Sequence, residues 1–155
     1  MKGLIVYRLL SFIVNLFCAF VAISLVPSVF MALANPAIAF GAFIMLGVVL
    51  YAWYANKFFN RVIVQKDVFT RRQKDWLQVN SIVAAIFSIM SVRSATEILL
   101  HPQVIDDIIK QLPVPPSAKL IANIITIMLV FCILLFIHVG WTFILLRRHK
   151  DHIVD

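Results

Sequence analysis

The chain has 155 residues, of which 63% are hydrophobic and 14% charged, and its formal net charge is +7. Soluble domains run at about 45–50% apolar and about 25% charged, and one of this length still leaves roughly a third of its surface in water, so the composition excludes a water-soluble globule. The basic excess does not indicate nucleic acid, because the lysines and arginines flank apolar runs and no finger, ribbon or recognition helix accompanies them; their placement suits anionic headgroups and the setting of topology.

The first apolar run extends from Leu9 to Val26, between Lys2 and Arg8 on one side and Pro27 on the other. It is longer than the 7–15-residue core of a secretory signal, and Ala32-Leu33-Ala34, which resembles a cleavage site, falls several residues beyond its end. The expectation is an uncleaved first span over about residues 9–26. The charge-free stretch Pro27–Asn35 then reads as a tight hairpin, with Asn35 as a helix cap and Pro36 at the first helical position, where its missing N–H costs nothing. The second span covers residues 37–56, and Trp53, Tyr54, Phe58 and Phe59 form an aromatic belt at its far end.

Between Lys57 and Trp76 lies the most basic part of the chain, with Lys57, Arg61, Lys66, Arg71, Arg72 and Lys74 against Asp67 and Asp75. The second helix is expected to run past the interface into a short surface connection, the alternative being a fuller amphipathic helix lying on the membrane. The third run, Leu77–Leu100, with its span at 77–99, is the least hydrophobic and carries Ser88, Ser91, Arg93 and Glu97 among other polar residues. After His101-Pro102, the residues Val104, Ile105, Ile108, Ile109 and Leu112 recur at helical spacing with Asp106, Asp107 and Lys110 between them, predicting a short amphipathic helix over 103–112. Pro113, Pro115 and Pro116 stiffen the chain into an extended piece. The fourth span, 120–146, ends at Arg147, Arg148, His149 and Lys150. A helix of that length is about 40 Å long against about 30 Å of hydrocarbon, so it must tilt or emerge.

These elements describe a single all-α domain, an integral membrane four-helix bundle with a short outer amphipathic helix between the third and fourth spans. Eleven basic residues fall on the side of the termini and the 57–76 connection, against Asp67, Asp75, Asp151 and Asp155, while the other side carries Arg93, Lys110 and Lys119 against Glu97, Asp106 and Asp107. The positive-inside rule then places the chain in the inner (cytoplasmic) membrane as a multi-pass protein with both termini cytoplasmic.

Arg93 and Glu97 are the sharpest candidate site. Standing four apart they share a helix face and can pair, and His101 is one turn further on. Charges within a span cost at least about 2.5–3.5 kcal/mol, which makes them functional candidates; against this, both can reach the outer headgroups, where the cost shrinks. With Ser88 and Ser91 they form a candidate intramembrane or interfacial polar cluster. The ladders Ser81/Ala85/Ser88 and Ser88/Ser91/Ala95 read as helix-packing surfaces whose hydroxyls can bond across the interface, whereas Gly41 and Gly47, six apart, make no GxxxG pattern. Asn15, Asn123 and Thr126 are expected to face other helices, since a polar group in hydrocarbon needs a partner.

His138 is isolated in an apolar run and reads as a bonded packing residue. His149 and His152 read as part of a frayed tail, and two histidines are weak grounds for a metal site. Cys18 and Cys132 lack CxxC spacing and read as small core residues. No phosphate loop, nucleotide fingerprint, HExxH or serine elbow occurs, so no catalytic, cofactor or metal residues are assigned. The function this supports is a non-enzymatic accessory or structural subunit of a membrane protein assembly, its partners being the lipid bilayer and either further copies of itself or another membrane protein, with no nucleic acid. The alternative is a small oligomeric transporter or channel for protons, cations or small solutes, working through Arg93, Glu97 and the serine face.

Overall fold

A computed structural model of the chain describes residues 2–110 and 116–154. In chain order it contains α1 (Lys2–Ala34), α2 (Pro36–Phe58), a π-helical turn (Phe59–Val64), β1 (Phe69–Thr70), α3 (Arg71–Leu100), α4 (Pro102–Lys110), α5 (Ala118–Arg148), a 3-10 turn (Lys150–His152) and β2 (Ile153–Val154). Among the described residues four helices, α1, α2, α3 and α5, are long and apolar enough to cross a membrane. Each packs against two others: α1 on α2, α2 on α3, α3 on α5, and α5 back on α1.

The first helix does not stop at Pro27 but continues through it to Ala34. Proline's φ is compatible with a helix, and in apolar surroundings continuing past it loses one backbone hydrogen bond, whereas stopping there would strand the last four carbonyls. The Ser28 hydroxyl adds a bond to the Ser24 carbonyl at 2.8 Å. The expected hairpin over 27–35 therefore shrinks to Asn35 alone. The Asn35 N–H donates to the Met31 carbonyl and its own carbonyl accepts from Ile38 N–H, both at 3.0 Å, while Pro36 takes the first position of α2. Ala32-Leu33-Ala34 lies within the last turn of α1.

The basic connection forms no amphipathic surface helix. The π-helical turn closes with Gln65 N–H to the Asn60 carbonyl at 3.0 Å, and Lys66 adopts a left-handed φ of 56°. That conformation carries a penalty of about 1–2 kcal/mol for a residue with a Cβ; here it turns the chain so that Phe69 is fully buried, edge-on to Phe58 at 5.4 Å. α3 then begins at Arg71, ahead of the apolar run, because Thr70 and Gln73 form a reciprocal capping box. The tail is not frayed: Ile153 pairs with Phe69 and Val154 with Thr70 as two parallel strands, and His149 Nδ1 lies 2.9 Å from the Leu145 carbonyl.

At the opposite end α4 occupies Pro102–Lys110 and packs on α3 and α5. Ile105 is buried and Ile109 half-buried, whereas Val104 is exposed along with Asp106, Asp107 and Lys110; Lys110 donates to Asp107 at 3.0 Å. Leu112, Pro113 and Pro115 lie outside the described residues. The Ser117 hydroxyl caps α5 by accepting from Leu120 N–H.

Along α3 the buried stripe is Leu77, Asn80, Ser81, Ala84, Ser88 and Ala95. Its hydroxyls do not bond across to neighbours: Ser81 donates to the Leu77 carbonyl at 2.6 Å and Ser88 to the Ala84 carbonyl at 2.8 Å, the nearest acceptors being on the same helix. Close approach comes instead at Gly47, where a Cβ would stand 2.5 Å from Val83 Cγ1; at Gly41 nothing lies within 4 Å. Fully buried Tyr7, Tyr51, Phe58, Phe69, Leu77 and Leu135 gather the core toward the end that carries both termini and the basic connection. Large apolar residues cover the outside of every long helix, for example Ile23, Phe40, Ile82 and Ile127, the arrangement expected when lipid is the solvent.

Candidate functional site

The buried polar chemistry lies where α1, α2 and α5 meet. Tyr7 and Ser11 stand four apart on α1, His138 and Thr142 four apart on α5, and Tyr51 projects from α2, so each helix presents these groups from one face. Tyr7 and Tyr51 are completely buried, and His138, Thr142 and Ser11 nearly so. Ser11 Oγ lies 2.8 Å from His138 Nε2, Tyr51 Oη lies 2.6 Å from His138 Nδ1 and 3.0 Å from Thr142 Oγ1, and Tyr7 Oη lies 2.9 Å from Thr142 Oγ1. Thr142 itself donates to the His138 carbonyl at 2.8 Å. The Tyr7 ring stacks on the imidazole with centroids 4.8 Å apart, and Phe59 and Trp141 close the other sides of Tyr7.

Counting hydrogens assigns every direction in this network. With a neutral imidazole there are five hydrogens, one each from Ser11, Tyr7, Tyr51, Thr142 and the ring N–H, for five contacts. Thr142 spends its hydrogen on the His138 carbonyl, so both tyrosines donate to Thr142 Oγ1, which has two lone pairs. Having donated to Thr142, Tyr51 must accept from the ring, which places the ring hydrogen on Nδ1. Nε2 is then an acceptor and receives the Ser11 hydrogen. With the ring hydrogen on Nε2 instead, Tyr51 donates to Nδ1 and its contact with Thr142 is left without a hydrogen. The network is thus an internally satisfied clamp joining three helices, and such buried networks select one arrangement of the elements they join. Five cavities along the helices are lined by other residues.

The residues singled out from sequence do not assemble around this network. Arg93 and Glu97 are exposed on α3, off its buried stripe. Among the described residues neither forms an ion pair or a side-chain hydrogen bond, so the possible pairing across one turn is not made. His101 is exposed and serves as the C-cap, its N–H donating to the Glu97 carbonyl at 3.1 Å. Ser88 is fully buried with its hydroxyl returned to α3. Ser91 is half-buried beside a cavity of about 540 Å³, which Phe17, Met45, Phe87 and Phe131 also line. Arg93 borders a separate apolar groove with Ile89, Ile133 and Phe136. Asn123 and Thr126 point outward rather than at other helices, Thr126 donating to the Ala122 carbonyl at 2.8 Å. Asn15 is half-buried in an open groove between α1 and α2. Cys18 and Cys132 are buried free thiols in different clusters.

His138 alone of the network drew attention in the sequence, and there it stood isolated. The missed signal was the repeated i,i+4 spacing of polar or phenolic residues, Tyr7/Ser11 and His138/Thr142, inside two otherwise apolar helices. No family model, curated protein or solved structure matches the chain.

Proposed function

We propose that this chain is a non-enzymatic accessory subunit of a membrane protein assembly, a four-helix bundle in the inner (cytoplasmic) membrane with both termini cytoplasmic. The orientation rests on the excess of lysine and arginine at the end that holds the termini and the 57–76 connection. The clamp of Tyr7, Ser11, Tyr51, His138 and Thr142 suits a scaffold, because its polar groups are spent on holding α1, α2 and α5 together.

The observation that carries association is the set of polar groups facing outward beside the α3–α5 groove. Arg93 borders that groove together with Ile133. Thr126 is seven residues, two turns, before Ile133 on α5, and Asn123 is a further turn away, so they share a face. Lipid tails offer no partner to an amide or a guanidinium, whereas polar side chains of a neighbouring helix do. Arg93, Glu97 and Asn123 therefore mark the α3–α5 face as the side that meets another membrane protein.

Photo-crosslinking residues placed at Ile133 and at Ile23, an exposed position on α1, separate protein from lipid contact in native membranes. Protein adducts are expected at Ile133 and lipid adducts at Ile23. Lipid adducts at both positions would refute association through this face. Purified protein in vesicles is expected to carry no proton or cation flux; flux lost in Glu97→Gln would replace the subunit reading with a transporter.

A further inference from the structure

At the end carrying both termini, α3, α5 and the tail border a pocket of about 470 Å³ lined by Lys74, Gln78, Phe143, Leu146, Arg147, Lys150 and Ile153. The spacing explains it: Lys74 and Gln78 are four apart on α3, while Phe143, Leu146, Arg147 and Lys150 continue one face of α5 and the turn after it. The third wall is the tail, whose Ile153 is held in place by pairing with Phe69. Three cations converge here and, among the described residues, no carboxylate lines the pocket; Asp75 and Asp151, although adjacent in sequence, do not contribute. Among the described residues Lys74, Arg147 and Lys150 form no ion pair. Lys74 and Gln78 are half-buried, Leu146 is buried, and Arg147 and Lys150 reach the surface.

Three convergent cations with no carboxylate among the described lining residues attract an anion, and a cation set with an amide donor beside it matches the oxygens of a phosphate. The other half of the lining is apolar, and it continues onto helices read as crossing the bilayer, so the ligand must be amphiphilic. We propose that this pocket binds the phosphodiester headgroup of an anionic phospholipid, with Lys74, Arg147 and Lys150 on the phosphate, Gln78 as an additional donor, and Phe143, Leu146 and Ile153 against the glycerol and the first methylenes. Basic pockets between membrane helices hold headgroups in this way. Binding here requires the helices to sit in a bilayer and is independent of what the α3–α5 face contacts further along.

The test uses the full chain in nanodiscs of equal phosphatidylglycerol and phosphatidylcholine, with lipids that remain bound after release into a mild detergent identified by native mass spectrometry. The native protein is expected to retain phosphatidylglycerol in preference to phosphatidylcholine; equal retention would overturn the proposal without any variant. Lys74→Gln, Arg147→Gln and Lys150→Gln together are expected to weaken phosphatidylglycerol binding on the order of 100-fold, from about fivefold per direct cation–phosphate contact, the upper range for a partly exposed ion pair. Removing the same charge at Arg61, Lys66 and Arg72, which do not line the pocket, is expected to change it less than about twofold; an equal loss in the two variants would show diffuse surface attraction and refute the site. The charge-preserving set Lys74→Arg, Arg147→Lys and Lys150→Arg is expected to retain binding, and loss there with the protein folded would also overturn the assignment. Inorganic phosphate is expected not to displace the lipid at millimolar concentration. Displacement that depends on the three cations would identify a free phosphate, rather than a lipid, as the ligand.

Discussion

Tyr51→Phe tests the hydrogen-bond directions of the buried clamp. The substitution keeps the ring, which lies edge-on to His138 at 5.7 Å, and removes only the oxygen that accepts from Nδ1 at 2.6 Å and donates to Thr142 at 3.0 Å. Thr142 still receives the Tyr7 hydrogen, but the ring N–H loses its acceptor in a site that water does not reach. An orphaned buried donor costs about 1–3 kcal/mol; membrane proteins fall toward the low side, with single interhelical bonds averaging about 0.6 kcal/mol, so about 1 kcal/mol for the donor and about 0.6 kcal/mol for the bond to Thr142 are expected together. Tyr7→Phe removes one donor into an oxygen that keeps another and orphans nothing, so it should cost only about 0.6 kcal/mol. Reversible unfolding in mixed micelles of increasing dodecyl sulfate fraction, followed by far-ultraviolet circular dichroism, measures both. Nitrogen-15 NMR of the imidazole reads the tautomer directly, with Nδ1 protonated in the native protein. A Tyr7→Phe cost equal to or above that of Tyr51→Phe, or a native ring hydrogen on Nε2, would refute the assignment.

Gly47→Ala places a methyl 2.5 Å from Val83 Cγ1 and should destabilise by about 1–3 kcal/mol in the same unfolding assay, with Val83→Ala restoring most of the loss; Gly41→Ala, in open space, should be neutral or slightly stabilising. Compartment-sensitive reporters fused after Asp155 and inserted at Pro116 should report opposite sides of the membrane, and matching sides would overturn the four-span topology. Exchanging the side chains of Arg93 and Glu97 should preserve folding, since neither is paired among the described residues. Loss of folding, read by the same dichroism signal, would show that these charges act inside the fold.

Sequence by itself determined the apolar helices, the basic asymmetry between the two ends and the amphipathic helix after the third run, because hydropathy, charge and periodicity are local quantities that a window of residues carries whole. It also contained the start of α2 at Asn35-Pro36 and, unread, the Thr70–Gln73 capping box. It misjudged Pro27, because what a proline does to a helix depends on how the neighbouring turns and surroundings satisfy the backbone. The clamp was decided only by the tertiary structure. Tyr7 and Thr142 are 135 positions apart, and α1, α2 and α5 are apolar on nearly every side, so no amphipathic pattern declares which face turns inward. Packing alone settles that face. It turns His138 toward two tyrosines and leaves Arg93, Glu97 and Asn123 outside, where a partner or a headgroup can answer them.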